Sequence, residues 1–92
     1  MENREAIKRA KDFVSDVFSD EGITDIGLEE IRRESDDLWD ITIGFSRDWQ
    51  KNRSAVAVQY GGIDRRRSYK TIKIDSNDGR VISMEEAEWA KN

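Results

Sequence analysis

Apolar and polar residues alternate along residues 38–45, and this pattern limits the fold more than any other stretch of the chain. Trp39, Ile41, Ile43 and Phe45 occupy every second position, with polar or small residues between them. Successive side chains of a β-strand point to opposite faces, so a strand would have one apolar face here. In a helix the same four residues would spread around the cylinder. The pattern predicts a core strand over residues 38–46.

Residues 2–20 have the pattern of an amphipathic helix. Apolar residues recur at three- and four-residue intervals, which places them in one stripe. They are Ala6, Ile7, Ala10, Phe13, Val14, Val17 and Phe18. Gly22 follows at the expected end, where a left-handed residue commonly closes a helix. The stripe predicts that this helix packs on the sheet to which the 38–46 strand belongs.

A first strand is predicted over residues 23–33, but its apolar positions change parity. Ile26 and Leu28 share one face, whereas Ile31 falls on the other. Two explanations are open: a bulge near Glu29 and Glu30 shifts the register, or Ile31 covers the opposite face of the sheet. Residues 34–37 have turn composition, so this strand and the next are expected to form an antiparallel hairpin.

A second hairpin is predicted near the C-terminus. Strands over residues 69–75 and 80–84 flank the turn 76–79, which contains Asn, Asp and Gly. Sequential strands with short turns usually pair as neighbours. The expected fold is therefore α+β, with the N-terminal helix packed on one face of a four-stranded antiparallel meander. A chain of 92 residues is expected to form a single domain over residues 1–92.

The segment 47–68 is predicted to be a long, partly ordered excursion from the sheet. Residues 55–60 alternate like a short edge strand, and Gly61 and Gly62 follow them. A structureless loop of this length is uncommon in a compact domain and often has a function. At the other end, residues 85–92 have Trp89 as their large apolar residue. This tail is expected either to dock Trp89 or to fray.

Composition excludes several classes of chemistry. The chain has no Cys and no His, so thiol nucleophiles, disulfides, imidazole bases and thiolate or imidazole metal ligands are all absent. No carboxylate pair is set apart by its spacing or by apolar surroundings. Asp75 to Gly79 has the composition of a calcium loop, but Gly79 is at position five where such a loop needs Gly at six. We predict no enzyme activity, cofactor or metal site.

The charges are segregated along the chain. The net charge is −4, yet residues 47–70 have seven basic and two acidic residues, a net +5, which leaves −9 for the remainder. Arginine and aromatic side chains in this segment are the candidate contact residues. They are Arg47, Trp49, Arg53, Tyr60, Arg65, Arg66, Arg67 and Tyr69.

Three interpretations of this basic segment are open. It can complement the acidic sheet of its own chain, bind an acidic surface of another protein, or bind single-stranded nucleic acid or phosphate through arginine and aromatic contacts. The acidic remainder of the chain would repel a polyanion, which makes nucleic acid the weaker alternative. Trp49 is expected either to cap the sheet edge or to be an exposed interface residue.

The second hairpin also resembles a feature of a known family. Residues 72–84, a strand ending in Asp75 that passes through Gly79 into a short apolar strand, resemble the hairpin of PepSY-like domains. The preceding helix and strand are similar to their cystatin-like plan, and small bacterial proteins share this layout. The resemblance implies a binding or inhibitory module and assigns no residue a role. PepSY-like domains are mostly extracytoplasmic, whereas this N-terminus lacks the apolar run of an export signal.

Taken together, these observations predict a non-enzymatic cytoplasmic module that binds a protein partner and has an inhibitory or regulatory role. Its contact surface is predicted to be the basic, Trp-containing segment 47–70. Single-stranded nucleic-acid or phosphate binding through Arg65, Arg66, Arg67 and nearby aromatics is the alternative. No stretch approaches the length of a membrane span, so no membrane partner is expected. Homodimerisation is left open.

Overall fold

The chain folds as one helix packed on an open four-stranded antiparallel sheet, which confirms the predicted α+β class. The computed structural model describes residues 1–47 and 67–91. Short 3₁₀ turns follow the helix, at Ser19–Glu21, and the last strand, at Glu88–Ala90. The main elements are α1 (Asn3–Val17), β1 (Thr24–Ser35), β2 (Leu38–Ser46), β3 (Arg67–Asp75) and β4 (Val81–Glu86).

Helix α1 packs on the sheet through a stripe of small residues. Ala6, Ala10 and Val14 are fully buried, and the short alanine side chains allow the helix to approach the strands closely. The helix was predicted to reach residue 20, but its regular part ends at Val17 and a 3₁₀ turn follows. Val17 is 46% exposed, so it is not part of the core that the stripe predicted. Gly22 closes this region with a left-handed φ of 60°.

The four strands lie in chain order, β1-β2-β3-β4, as an antiparallel meander. Ile41 lies opposite Ile31 in β1 and opposite Ile72 in β3. These residues therefore share one face, and the register shifts between Leu28 and Glu30. Of the two explanations for the parity change in the first strand, the bulge is correct.

The core lies between α1 and the central strands. Its largest fully buried side chains come from alternate positions of β2 and β3: Ile41, Ile43, Phe45, Ile72 and Ile74. The Phe45 ring contacts Phe18 with a centroid distance of 5.0 Å. Trp39 packs at the margin of this core, and the Arg33 guanidinium lies 4.6 Å from its ring. The apolar face of the 38–46 strand is thus the floor on which the helix packs.

The limits of the predicted strands shift by one or two residues. Strand β1 runs to Ser35, two residues beyond its predicted end. Strand β3 begins at Arg67, so Arg67 and Ser68 belong to the sheet and not to the excursion. Strand β4 runs to Glu86, two residues beyond its predicted end. The predicted edge strand at residues 55–60 lies outside the described residues. Among the described residues, no helix is long and apolar enough to span a membrane.

Candidate partner-binding surface

Arg47 follows β2 directly, and its side chain turns back onto the core. Its Nε lies 3.3 Å from Glu21 Oε1, and its side chain is 14% exposed. The guanidinium lies 4.6 Å from the Phe18 ring centroid and 5.4 Å from that of Phe45. A cation at this place also complements the negative charge of Asp20 and Glu21, which lie in the 3₁₀ turn after α1. Arg47 therefore closes the open end of the core.

Arg67 lies at the start of β3, opposite Ser46 in β2. Its Nη2 donates to the backbone oxygen of Asp25 at 2.9 Å and lies 3.5 Å from Glu29 Oε2. Its Nη1 donates to Ser46 Oγ at 3.4 Å. The side chain is 20% exposed, so these contacts take up most of its donor surface. Arg67 thus ties β3 to β1 across β2, and we refer to Arg47 and Arg67 as the anchor arginines.

The ion pair of Arg67 and Glu29 depends on Gly44, which was not among the predicted contact residues. A Cβ atom at Gly44 would lie 2.5 Å from Glu29 Oε2 and 2.9 Å from Arg67 Nη2. Any side chain here would displace the pair. The available signal was a glycine inside a strand, which often marks the close approach of another group. Glu29 itself reaches this place because of the β1 bulge.

Tyr69 supports the C-terminal tail. Its ring lies 4.7 Å from that of Trp89, centroid to centroid, with 54° between the ring planes. The Ala87 amide donates to the Tyr69 backbone oxygen at 2.9 Å, which holds the tail against β3. Of the two alternatives for the tail, docking of Trp89 is correct. Trp89 remains 45% exposed, so the aromatic pair has one accessible member.

The structure therefore brings three of the predicted contact residues to the base of the segment 48–66. Arg47 and Arg67 are engaged with acidic residues of the sheet and helix, and Tyr69 packs on Trp89. The other candidates lie outside the described residues: Trp49, Arg53, Tyr60, Arg65 and Arg66.

This arrangement accounts for part of the basic charge in residues 47–70. The anchor arginines pair with Glu21 and Glu29, and Lys70 lies opposite Glu86 in the β3–β4 ladder. Once these three are counted with the folded sheet, residues 48–66 retain four basic and two acidic residues, a net +2. Part of the +5 charge thus complements the chain's own acidic residues at the two ends of the segment.

The face of the sheet opposite α1 carries a charged network centred on Lys73. Its Nζ lies 2.6 Å from Glu34 Oε2 and 3.1 Å from Asp40 Oδ1. The hydrogen bond to Glu34, with a smaller effect from Asp40, raises the pKa of Lys73. The same hydrogen bond lowers the pKa of Glu34 below its ordinary value. Lys73 and Glu34 are therefore both ionised at neutral pH, and Glu34 is a poor general acid there.

A shallow groove of about 280 Å³ runs over this network towards the tail. Arg32, Thr71 and Lys73 lie beside several acidic residues in its lining, which also includes Trp89. Beneath it, the hydroxyl oxygens of Thr42 and Thr71 are 2.9 Å apart. The groove is thus a polar surface with one exposed aromatic ring, a composition typical of the rim of a protein–protein interface.

The Asp75–Gly79 turn has the structure of a hairpin turn. Asp75 Oδ1 accepts hydrogen bonds from the amides of Asn77, at 2.7 Å, and Asp78, at 3.3 Å. These bonds lower the pKa of the Asp75 carboxyl. Gly79 takes a left-handed φ of 77°. Within residues 1–47 and 67–91, no group of three or more acidic side chains is arranged to hold a metal ion.

Comparison of the chain with protein-family models, with curated proteins and with solved structures gave no match. The fold and the surface described above thus define an α+β domain with charged anchors at the base of an insertion between β2 and β3. The resemblance to PepSY-like domains stays a prediction.

Proposed function

We propose that the protein is a non-enzymatic protein-interaction module, and that the segment 48–66 supplies its contact surface. The observation that carries this proposal is the pairing of Ser46 with Arg67 at the end of β2 and β3. Twenty residues, Arg47 and the segment 48–66, thus join two positions that are neighbours in the sheet. An insertion on a rigid base is the usual way in which a small domain presents a binding loop.

The anchor arginines support this assignment because they secure the base of the insertion without using the residues inside it. Arg47 and Arg67 are fixed by Glu21 and Glu29, on opposite sides of the β2–β3 ladder. The remaining arginines and Trp49 then supply the residue types enriched in interface hot spots. Trp89 adds an exposed aromatic ring to the described surface, beside the acidic residues of the groove.

A protein partner fits the remaining charge better than nucleic acid does. A net +2 over residues 48–66 is small beside the net −6 of the rest of the chain. Affinity for nucleic acid depends on the number of phosphates that a protein neutralises, so few free cations give weak binding. An acidic patch on a partner protein needs only one or two well-placed arginine contacts. We place this interaction in the bacterial cytoplasm, in line with the absence of cysteine. The inhibitory or regulatory role follows from the PepSY-like resemblance, which implies a binding or inhibitory module.

The test is recovery of a partner from the native host extract with the full chain as bait. The double variant Arg65→Glu, Arg66→Glu should reduce recovery of the same protein at least about tenfold, because it reverses the contact charges and leaves both anchor arginines in place. Arg67 is kept because its loss would also disturb the sheet.

The matched control is Arg4→Glu with Lys8→Glu, which makes the same change in net charge on exposed positions of α1. Recovery should be unchanged with this control. Equal recovery by the wild type and the Arg65, Arg66 variant would overturn the proposal. Binding of a single-stranded oligonucleotide at low salt that is lost at moderate salt, without any protein partner, would favour the nucleic-acid alternative instead.

A further inference from the structure

We draw no further inference here: the strongest candidate, the groove on the sheet face opposite α1 where Glu30 and Glu85 lie beside the exposed ring of Trp89, is a cluster of acidic side chains, and nothing in the described part of the structure shows which ligand or surface covers it.

Discussion

Arg47→Ala is expected to lower the free energy of unfolding by about 2 kcal/mol, because Arg47 stabilises the core rather than a partner. The guanidinium lies over the rings of Phe18 and Phe45 and beside Glu21, and the side chain is 14% exposed. Each cation–π contact of this kind contributes about 0.5–1 kcal/mol. The ion pair adds about 0.5 kcal/mol, a low value because Glu21 is 41% exposed and solvent screens the pair.

Urea unfolding followed by circular dichroism measures this loss. For a domain of this size the slope is about 1 kcal/mol per molar urea, so the midpoint should fall by about 2 M. Arg47→Lys should keep the ion pair but lose the planar contact with the rings, and it should fall between the wild type and Arg47→Ala. Glu21→Gln should cost only a few tenths of a kcal/mol.

The matched control is Lys8→Ala, which removes an ion pair with Asp12 on the exposed surface of α1. Its two side chains are 74% and 66% exposed, and the expected loss is a few tenths of a kcal/mol. If Arg47→Ala is no more destabilising than Lys8→Ala, the structural role of Arg47 is refuted, and Arg47 returns to the set of candidate contact residues.

Three further predictions concern the sheet. Gly44→Ala should lower the free energy of unfolding by about 1 kcal/mol, measured in urea, because the new Cβ would clash with the ion pair of Glu29 and Arg67. Gly27→Ala is the control and should leave the free energy of unfolding unchanged, because no atom lies within 4 Å of the new Cβ. Phe45→Ala should cost about 3–5 kcal/mol by the same assay, since its ring is fully buried. Glu34 has a pKa below its ordinary 4.5, so the stability that it contributes is present above pH 4.5 and is lost as the pH falls through the folded-state pKa. Glu34→Gln should therefore flatten the acid limb of the stability profile, and a profile identical to that of the wild type would contradict the role of Lys73.

Local sequence pattern was enough to predict the fold because each element has a clear period. The alternation of residues 38–45 and the stripe of α1 each define one apolar face, and two apolar faces have few ways to cover each other. The change of parity at Ile31 even indicated the β1 bulge as one of two explanations. The end of α1 was predicted too late, because the 3₁₀ turn at Ser19–Glu21 continues the helical pattern with a tighter geometry.

The candidate surface was less predictable because its contacts join residues that are distant in the sequence. The pattern grouped Arg67 with its neighbours Arg65 and Arg66 as one basic cluster. The structure shows Arg67 inside β3, bonded to Asp25 and close to Glu29. Strand register decides that contact, and register follows from the β1 bulge, which sequence alone indicated only as an alternative.

The anchoring role of Arg47 could not be predicted from the sequence for the same reason. Its contact with Glu21 requires the end of α1 and the end of β2 to meet, which is a property of the tertiary packing. Gly44 offered a local signal, but its meaning depended on which side chains cross above it. Residue types therefore indicated where charged residues cluster in the sequence. The fold determines which of them form ion pairs within the domain.

Two neighbouring arginines, Arg66 and Arg67, distinguish residues of the sheet from residues that contact a partner. Arg66→Gln and Arg67→Gln make the same chemical change at adjacent positions, and each variant is assayed for its free energy of unfolding and for its affinity for the recovered partner. Arg67→Gln should lose about 1 kcal/mol of stability with unchanged partner affinity, because Arg67 is bonded within the sheet. Arg66→Gln should keep its stability and lose affinity. An Arg67→Gln variant of wild-type stability that binds the partner as weakly as Arg66→Gln would contradict the account.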